Sequence, residues 1–395
     1  MPSRRTVLAG SAAAALAAGA GAASRAEASP GGPGGPDRAG LQAALDRIVA
    51  TGATAALARV DSPAGSWHGS SGVIALGRPA RPAPGGLFRV GSITKTFVAT
   101  VILQLVGEGR LRLDDTLHRW LPGAVPNAGR ITVRHLLQHT SGLFDYTAAL
   151  FGSVDDVLNA RYRAFRPEEL VALAAGRPPL FEPGTSWSYS NTNYILLGLI
   201  IRKVTGRAYG REVDRRILRP LRLRHTEVPG TDVTIDGPHA HGYEQIERDG
   251  EIVPVDFTDL NPSMAGSAGE MVSTTAELNR FYRSLLGGRL LRRAQLAEML
   301  ADPAGEAGYG LGIHQLPLPG GTTLWGHTGG IFGYVSYAFT TPDAGTQLTV
   351  SINPWPGDFE AALFDLIFTA FGVTAPAARA AAPSMPVLGL RLPTA

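Results

Sequence analysis

The chain has 395 residues, 44% of them hydrophobic, with 36 Lys and Arg against 33 Asp and Glu, a net charge of +3 and no cysteine. That length and apolar content suffice for one large core or two fused lobes, and the near-balanced charge offers no basic surface that calls for nucleic acid. Without cysteine there can be no disulfide, no thiol nucleophile and no thiolate metal site.

The first element is a leader. Ser3-Arg4-Arg5-Thr6-Val7-Leu8, an Ala/Gly-rich apolar stretch to Ala23 and then Ala26-Glu27-Ala28 read as a twin-arginine export signal with an A-x-A cleavage site over residues 1–28. Removing it takes away three Arg and one Glu and leaves a charge of +1. No later apolar run approaches the ~18 residues of a membrane span, so the expected mature form is secreted or extracytoplasmic, without a membrane anchor. Residues 29–40 are Pro/Gly-rich linker and 374–395 an Ala/Pro-rich tail, leaving 41–373 as the folded domain.

Within that domain, short segments at 55–60, 66–76 and 87–90 have strand composition with Gly and Pro between them, and are expected to be sheet strands. Phe97, Val101, Ile102 and Leu105 then recur at helical spacing up to Gly107, so Ser92 sits at the entrance of a buried helix. From 113 to 290 the pattern is mainly helical. Ile195, Leu196, Leu199, Ile200 and Val204 form a helix closed by Gly206, with Tyr189-Ser190-Asn191 on the loop leading into it. Val335, Tyr337 and Phe339 alternate, Pro342-Asp343-Ala344-Gly345 turns the chain, and Leu348, Val350 and Ile352 alternate again. Residues 359–371 read as a closing helix. This order predicts an α+β fold: an antiparallel sheet flanked by helices, built from about 41–112 and 291–373, with a mainly helical lobe of about 113–290 inserted. A site would lie between the lobes.

The chemistry begins with Ser92 and Lys95, three apart at a helix entrance and therefore on one face. Only two lysines occur, Lys95 and Lys203, while nearly every other cationic position is Arg. A desolvated Lys amine can lose its proton and serve as a base, whereas Arg cannot. A neutral amine beside a Ser hydroxyl can take its proton as the hydroxyl attacks a carbonyl. The plainer reading makes Ser92 a helix cap and Lys95 a surface cation. His135 and His139 have i, i+4 spacing without a third ligand in view, so neither metal nor cofactor is expected. No Gly-x-Ser-x-Gly occurs, which argues against an α/β-hydrolase.

Ser92-Ile93-Thr94-Lys95, Tyr189-Ser190-Asn191 and His327-Thr328-Gly329 form a variant of the Ser-x-x-Lys, Ser-Asp-Asn and Lys-Thr-Gly set. Together with the flanks Phe88-Arg89-Val90-Gly91, Leu136-Leu137-Gln138-His139-Thr140-Ser141-Gly142-Leu143 and Tyr309-Gly310-Leu311-Gly312, the chain resembles the serine β-lactamase-related family, which includes class C β-lactamases and D-alanyl-D-alanine carboxypeptidases. The resemblance implies Ser92 as the acylated nucleophile and Lys95 as its base or proton relay. It implies Tyr189 as a proton-exchanging phenol and Asn191 as a donor to the substrate amide. His327, Thr328 and Gly329 would bind substrate, and the backbone N–H groups of Ser92 and Gly330 would form the oxyanion hole. Whether Lys95 or Tyr189 takes the first proton is open at this point, since each has an unperturbed pKa near 10. Gly330 departs from carboxypeptidase relatives that carry a hydroxyl there for the substrate carboxylate. The expected activity is that of a D-alanyl-D-alanine carboxypeptidase-like enzyme acting on peptidoglycan-type peptides and reacting with β-lactams. The alternatives are an esterase or D-amino-acid amidase on the same scaffold, or a penicillin-recognising sensor that deacylates slowly. The oligomeric state is left open.

Overall fold

The computed structural model describes residues 35–374 apart from 249, 302–303, 305–307 and 355–357; the expected signal, the first half of the linker and nearly all of the tail lie outside the described residues. Ten strands are described: β1 (Ala55–Ser62), β2 (Gly65–Gly72), β3 (Phe88–Arg89), β4 (Tyr243–Arg248), β5 (Glu251–Asp256), β6 (Val272–Ser273), β7 (His314–Pro317), β8 (Thr323–Ile331), β9 (Tyr334–Thr340) and β10 (Gln347–Asn353). Six of them make one antiparallel sheet in the order β2-β1-β10-β9-β8-β7. The early and late parts of the chain therefore interleave, with β1 from the start hydrogen-bonded to β10 near the end.

Alternation along β9 and β10 explains why the sheet has two buried faces. Val335, Tyr337 and Phe339 pair with Ile352, Val350 and Leu348, and all six belong to one apolar cluster with the helices Arg38–Ala50 and Glu360–Phe371. A strand's side chains alternate between faces, so Tyr334 and Ala338 fall on the other side and join the larger core shared with the helical lobe. That core is centred on the helices Thr94–Gly107 and Asn191–Thr205, both apolar around most of their circumference. Such helices are stable only when buried on several sides.

The structure departs from the sequence reading in three places. Residues 38–40, read as linker, begin a helix: Leu41, Ala44, Leu45 and Ile48 are spaced i, i+3, i+4, i+7 and are buried, and the Asp37 carboxylate accepts from Gly40 N. Residues 87–90 are not part of the main sheet. The Gly- and Pro-rich stretch before them carries the chain off the sheet, and β3 pairs instead with β6. The stretch read as helical also contains the β4–β5 hairpin. The β3–β6 pairing matters for chemistry, because it draws the segment before Val272 against the turn that carries Ser92.

Candidate active site

Ser92 lies in a 3-10 turn, Gly91–Ile93, between β3 and the helix Thr94–Gly107. Gly91 has φ +54°, and the position a Cβ would take there lies 2.7 Å from Gly330 N and 2.8 Å from Gly330 O. Only glycine combines that backbone conformation with so close an approach. Gly329 is constrained by close approach alone, since its Cβ position is 2.0 Å from Val90 O, a carbonyl that also accepts from the Ser336 hydroxyl at 2.9 Å. The Ser92 turn is thus pressed backbone to backbone against β8.

The register of β8 states which backbone groups face that turn. β7 pairs with β8 only from Thr323 to Gly326, while β9 runs beside it to Ile331. Beyond Gly326 one edge of β8 carries no described strand. Ile331 and Tyr334 close the two-residue hairpin turn and form a hydrogen-bonded pair, so the next pair, Gly330 with Val335, is a non-bonded one. The Gly330 N–H therefore points outward to the free edge, where Gly91 and Ser92 sit. A carbonyl oxygen held against Ser92 would find this N–H there.

Lys95 Nζ, wholly buried, is 2.8 Å from Ser92 Oγ, 2.8 Å from Asn191 Oδ1 and 2.6 Å from the Ala268 carbonyl oxygen. Asn191 Oδ1 and the Ala268 carbonyl can only accept. Nζ can donate to all three neighbours, and once neutral it keeps two N–H bonds for those two acceptors and one lone pair that can take the Ser92 proton; it is burial that favours this neutral form. Burial holds the Lys95 pKa well below 10.5 against an opposing pull from Asp145.

Asn191 is the first residue of the helix Asn191–Thr205, after the cap residue Ser190. Its Nδ2 donates to Asp145 Oδ2 at 2.9 Å. The Asn191 oxygen is taken by Lys95 and one of its two N–H bonds by Asp145, which makes it a strut under the amine; the second N–H is the one the expected contact with a substrate amide would use. Asp145 and Ala268 were missed by sequence reasoning. Asp145 also accepts from Thr147 N at 3.1 Å as a helix cap, the role its sequence position suggests, and a backbone carbonyl leaves no residue-type signal.

Tyr189 packs its ring beneath the amine, with Lys95 Nζ 4.9 Å from the ring centroid. The hydroxyl is buried and completes no hydrogen bond among the described residues, with the Ser92 hydroxyl close enough to favour ionisation. Burial outweighs that influence and pushes the phenol well above 10.0, so it is neutral.

His327 and Thr328 lie on opposite faces of β8. The buried His327 ring accepts from the Tyr309 hydroxyl at Nε2, 2.7 Å away, and donates from Nδ1 to the Thr328 carbonyl. Both nitrogens are occupied. Burial, with smaller contributions from His314 and Lys95, holds its pKa well below 6.5, so it is a neutral part of the wall and not a cation awaiting a carboxylate. Thr328 stands opposite Tyr337 on the face toward the terminal helices, whereas Gly329 stands opposite Ser336 on the face toward the Ser92 turn. Its side chain is therefore not directed at the nucleophile. The Nδ1 atoms of His135 and His139 accept from the backbone N–H groups of Thr132 and Ser190.

The family profile described as beta-lactamase matches residues 41–370. The chain belongs to this family. A solved structure of a D-stereospecific amidohydrolase from Streptomyces sp. is 42% identical, with a TM-score of 0.79 over 86% of this chain and all of that one. The penicillin-binding protein 4* of Bacillus subtilis (strain 168) is 30% identical over 285 residues, 68% of this chain, and the match spans 61% of that relative's length. Esterase EstB of Burkholderia gladioli is 32% identical over 302 residues, 71% of this chain and 74% of the esterase. Family membership makes the chain a serine hydrolase of the β-lactamase and penicillin-binding superfamily, and the fold is the mixed helix and antiparallel sheet seen in its structural neighbours.

Proposed function

We propose that the chain is an exported amidohydrolase that forms an acyl-enzyme at Ser92 from amides or esters of D-amino acids, on substrates without a free carboxylate next to the scissile bond. The observation that carries this reading is His327. In a carboxypeptidase-like site this position would offer charge to a substrate carboxylate, and here it is neutral, buried and bonded at both nitrogens, while Gly330 supplies no hydroxyl. The similarity to the Streptomyces D-stereospecific amidohydrolase and to an esterase supports the same substrate class, and the leader with Arg4 and Arg5 supports export.

The neutral Lys95 amine accepts the Ser92 proton as Oγ bonds to the substrate carbonyl carbon. Negative charge moves to the carbonyl oxygen, which accepts from the N–H groups of Ser92 and Gly330; one such donor contributes ~2.7–4 kcal/mol in comparable sites. As the tetrahedral adduct collapses, the C–N or C–O bond breaks and the Tyr189 hydroxyl gives its proton to the departing nitrogen or oxygen. The ammonium of Lys95 returns a proton to the phenolate. Water then repeats the sequence on the acyl-enzyme, releasing the acid and restoring Ser92. Lys95 acts as the first base because burial favours its uncharged form, whereas burial of Tyr189 opposes the phenolate that a base would have to be.

Tyr189→Phe is expected to lower kcat by ~10²–10⁴-fold, the range for a lost general acid, with KM within about twofold because the ring is retained. A rise in KM alone would make Tyr189 a binding residue. The substrate class is tested by kcat/KM for a D-amino-acid amide, its L enantiomer, the matching D-ester, and an acylated D-Ala-D-Ala peptide. The reading expects the D-amide and D-ester to exceed the L-amide and the peptide. A preference for the peptide would return the assignment to carboxypeptidase. For a matched substrate acid and its methyl ester, profiles of kcat/KM between about pH 5.5 and about pH 8.5 should run parallel, since the range brackets an ordinary His and burial holds His327 well below that ordinary value. A decline for the acid alone would mean that His327 is used as a cation.

A further inference from the structure

The segment 136–143 carries part of the family resemblance, yet no step of the proposed reaction uses it. Its position in the structure is a ladder along the loop that bears Tyr189. Leu180 N donates to the Gly142 carbonyl at 2.8 Å, Gly184 N to the Thr140 carbonyl at 2.8 Å, and Ser188 N to the His139 carbonyl at 3.0 Å. The final rung is a side chain: Ser190 N donates to His139 Nδ1 at 3.2 Å. The last two rungs bracket Tyr189, one on the residue before it and one on the residue after it, and both end on His139.

The His139 ring also lies on the Tyr189 ring, with centroids 4.2 Å apart at 34°. A backbone N–H can only donate, so Nδ1 must present a lone pair and the ring proton must sit on Nε2. Asn193 Nδ2, 3.1 Å from Nδ1, adds a second donor; its orientation follows from the Ser141 hydroxyl, which donates to Asn193 Oδ1 at 2.6 Å. His139 is fully buried and has φ +62°, the left-handed conformation that lets its carbonyl and its ring reach the same loop.

We propose that His139 is the positioning residue for Tyr189: its carbonyl and Nδ1 fix the backbone on both sides of the tyrosine and its ring fixes the phenol's plane, so that the hydroxyl is held at Ser92 without a hydrogen bond of its own. This rests on the role given to Tyr189 above. A loop residue set adrift by about 1 Å can cost ~10²-fold in rate without any loss of chemistry elsewhere.

The test is steady-state kinetics per titrated active site for His139→Leu, His139→Asn, Tyr189→Phe and the double variant His139→Leu with Tyr189→Phe, using the best ester of the substrate panel. His139→Leu should lower kcat by ~10²-fold with KM within about twofold. His139→Asn, whose oxygen can replace Nδ1 and whose backbone tolerates positive φ, should recover at least ~tenfold of that loss. In the Tyr189→Phe background His139→Leu should add less than about threefold, because its effect passes through the missing hydroxyl. If His139→Leu does not fold, His139→Gln, too long to place an acceptor at the same point, takes its part in the comparison. Fully multiplicative losses in the double variant, no recovery with Asn, or a change confined to KM would overturn the proposal. A normal kcat for Tyr189→Phe alone would instead overturn the reading on which it rests.

Discussion

Lys95→Arg is expected to lower kcat/KM for a neutral ester by roughly 10³-fold, within the range for a lost general base, although it preserves the charge assumed by a surface-cation reading. The reason lies in the three neighbours of Nζ. Asn191 Oδ1 and the Ala268 carbonyl accept from Nζ, and Ser92 Oγ lies 2.8 Å from it, where an unprotonated amine could take the hydroxyl proton. Arg supplies donors only and keeps its proton at every working pH, so the Ser92 hydroxyl is left with no base. The buried space also has to take a broader, permanently charged group. Active-site titration with turnover of the ester checks this, and near-normal turnover would make Lys95 structural.

Ser92→Ala is expected to have the larger effect, a loss of turnover approaching the ~10⁶-fold seen when a serine nucleophile is removed elsewhere. Covalent labelling by a fluorophosphonate should disappear with it. Stability should change little, because the substitution removes one atom from a turn whose shape is set by Gly91 and by the contacts of β8. Labelling of the Ser92→Ala chain at another residue would place the nucleophile elsewhere.

The elements that were legible in the sequence are those whose pattern is local. The alternation at Val335–Phe339 and Leu348–Ile352, with the turn between them, gave the right pair of antiparallel strands, because period two states the buried face of each strand. The helix closed by Gly206 was equally plain, since a left-handed residue at φ +73° is the usual stop. What was not legible depends on partners far away in the chain. Residues 87–90 have strand composition in either sheet, and only the position of Val272 and Ser273 decides which one they join. The helix Arg38–Ala50 was obscured by the Pro- and Gly-rich residues before it, although its apolar spacing was complete.

The site divides along the same line. Ser92 and Lys95 are three residues apart, so a helix brings them together without help, and the two-lysine composition separates Lys95 from the many arginines. The partners of Asn191 and His327 were not legible, because residue type shows what a side chain can do and not whether its atoms are already engaged. Asn191 bonds to Lys95 and Asp145 across 96 and 46 residues of sequence, and His327 to Tyr309 and to the carbonyl of its neighbour Thr328. Ala268 meets Lys95 through its backbone carbonyl, which residue type does not mark; Gly330 was legible only through the family resemblance, which places an oxyanion-hole N–H after His-Thr-Gly.

The central claim is that a neutral Lys95 is the base for Ser92, and the pH dependence of kcat/KM for a neutral D-amino-acid ester tests it most directly. Acylation requires the unprotonated amine, so the rate should rise with pH through the Lys95 pKa and then level off. Burial lowers that pKa, which puts the midpoint of the rise well below 10.5, and the same midpoint should remain in Tyr189→Phe at a reduced plateau. A rise that continues to a midpoint near the 10.5 of an ordinary lysine, or one that vanishes with the Tyr189 hydroxyl, would contradict the account.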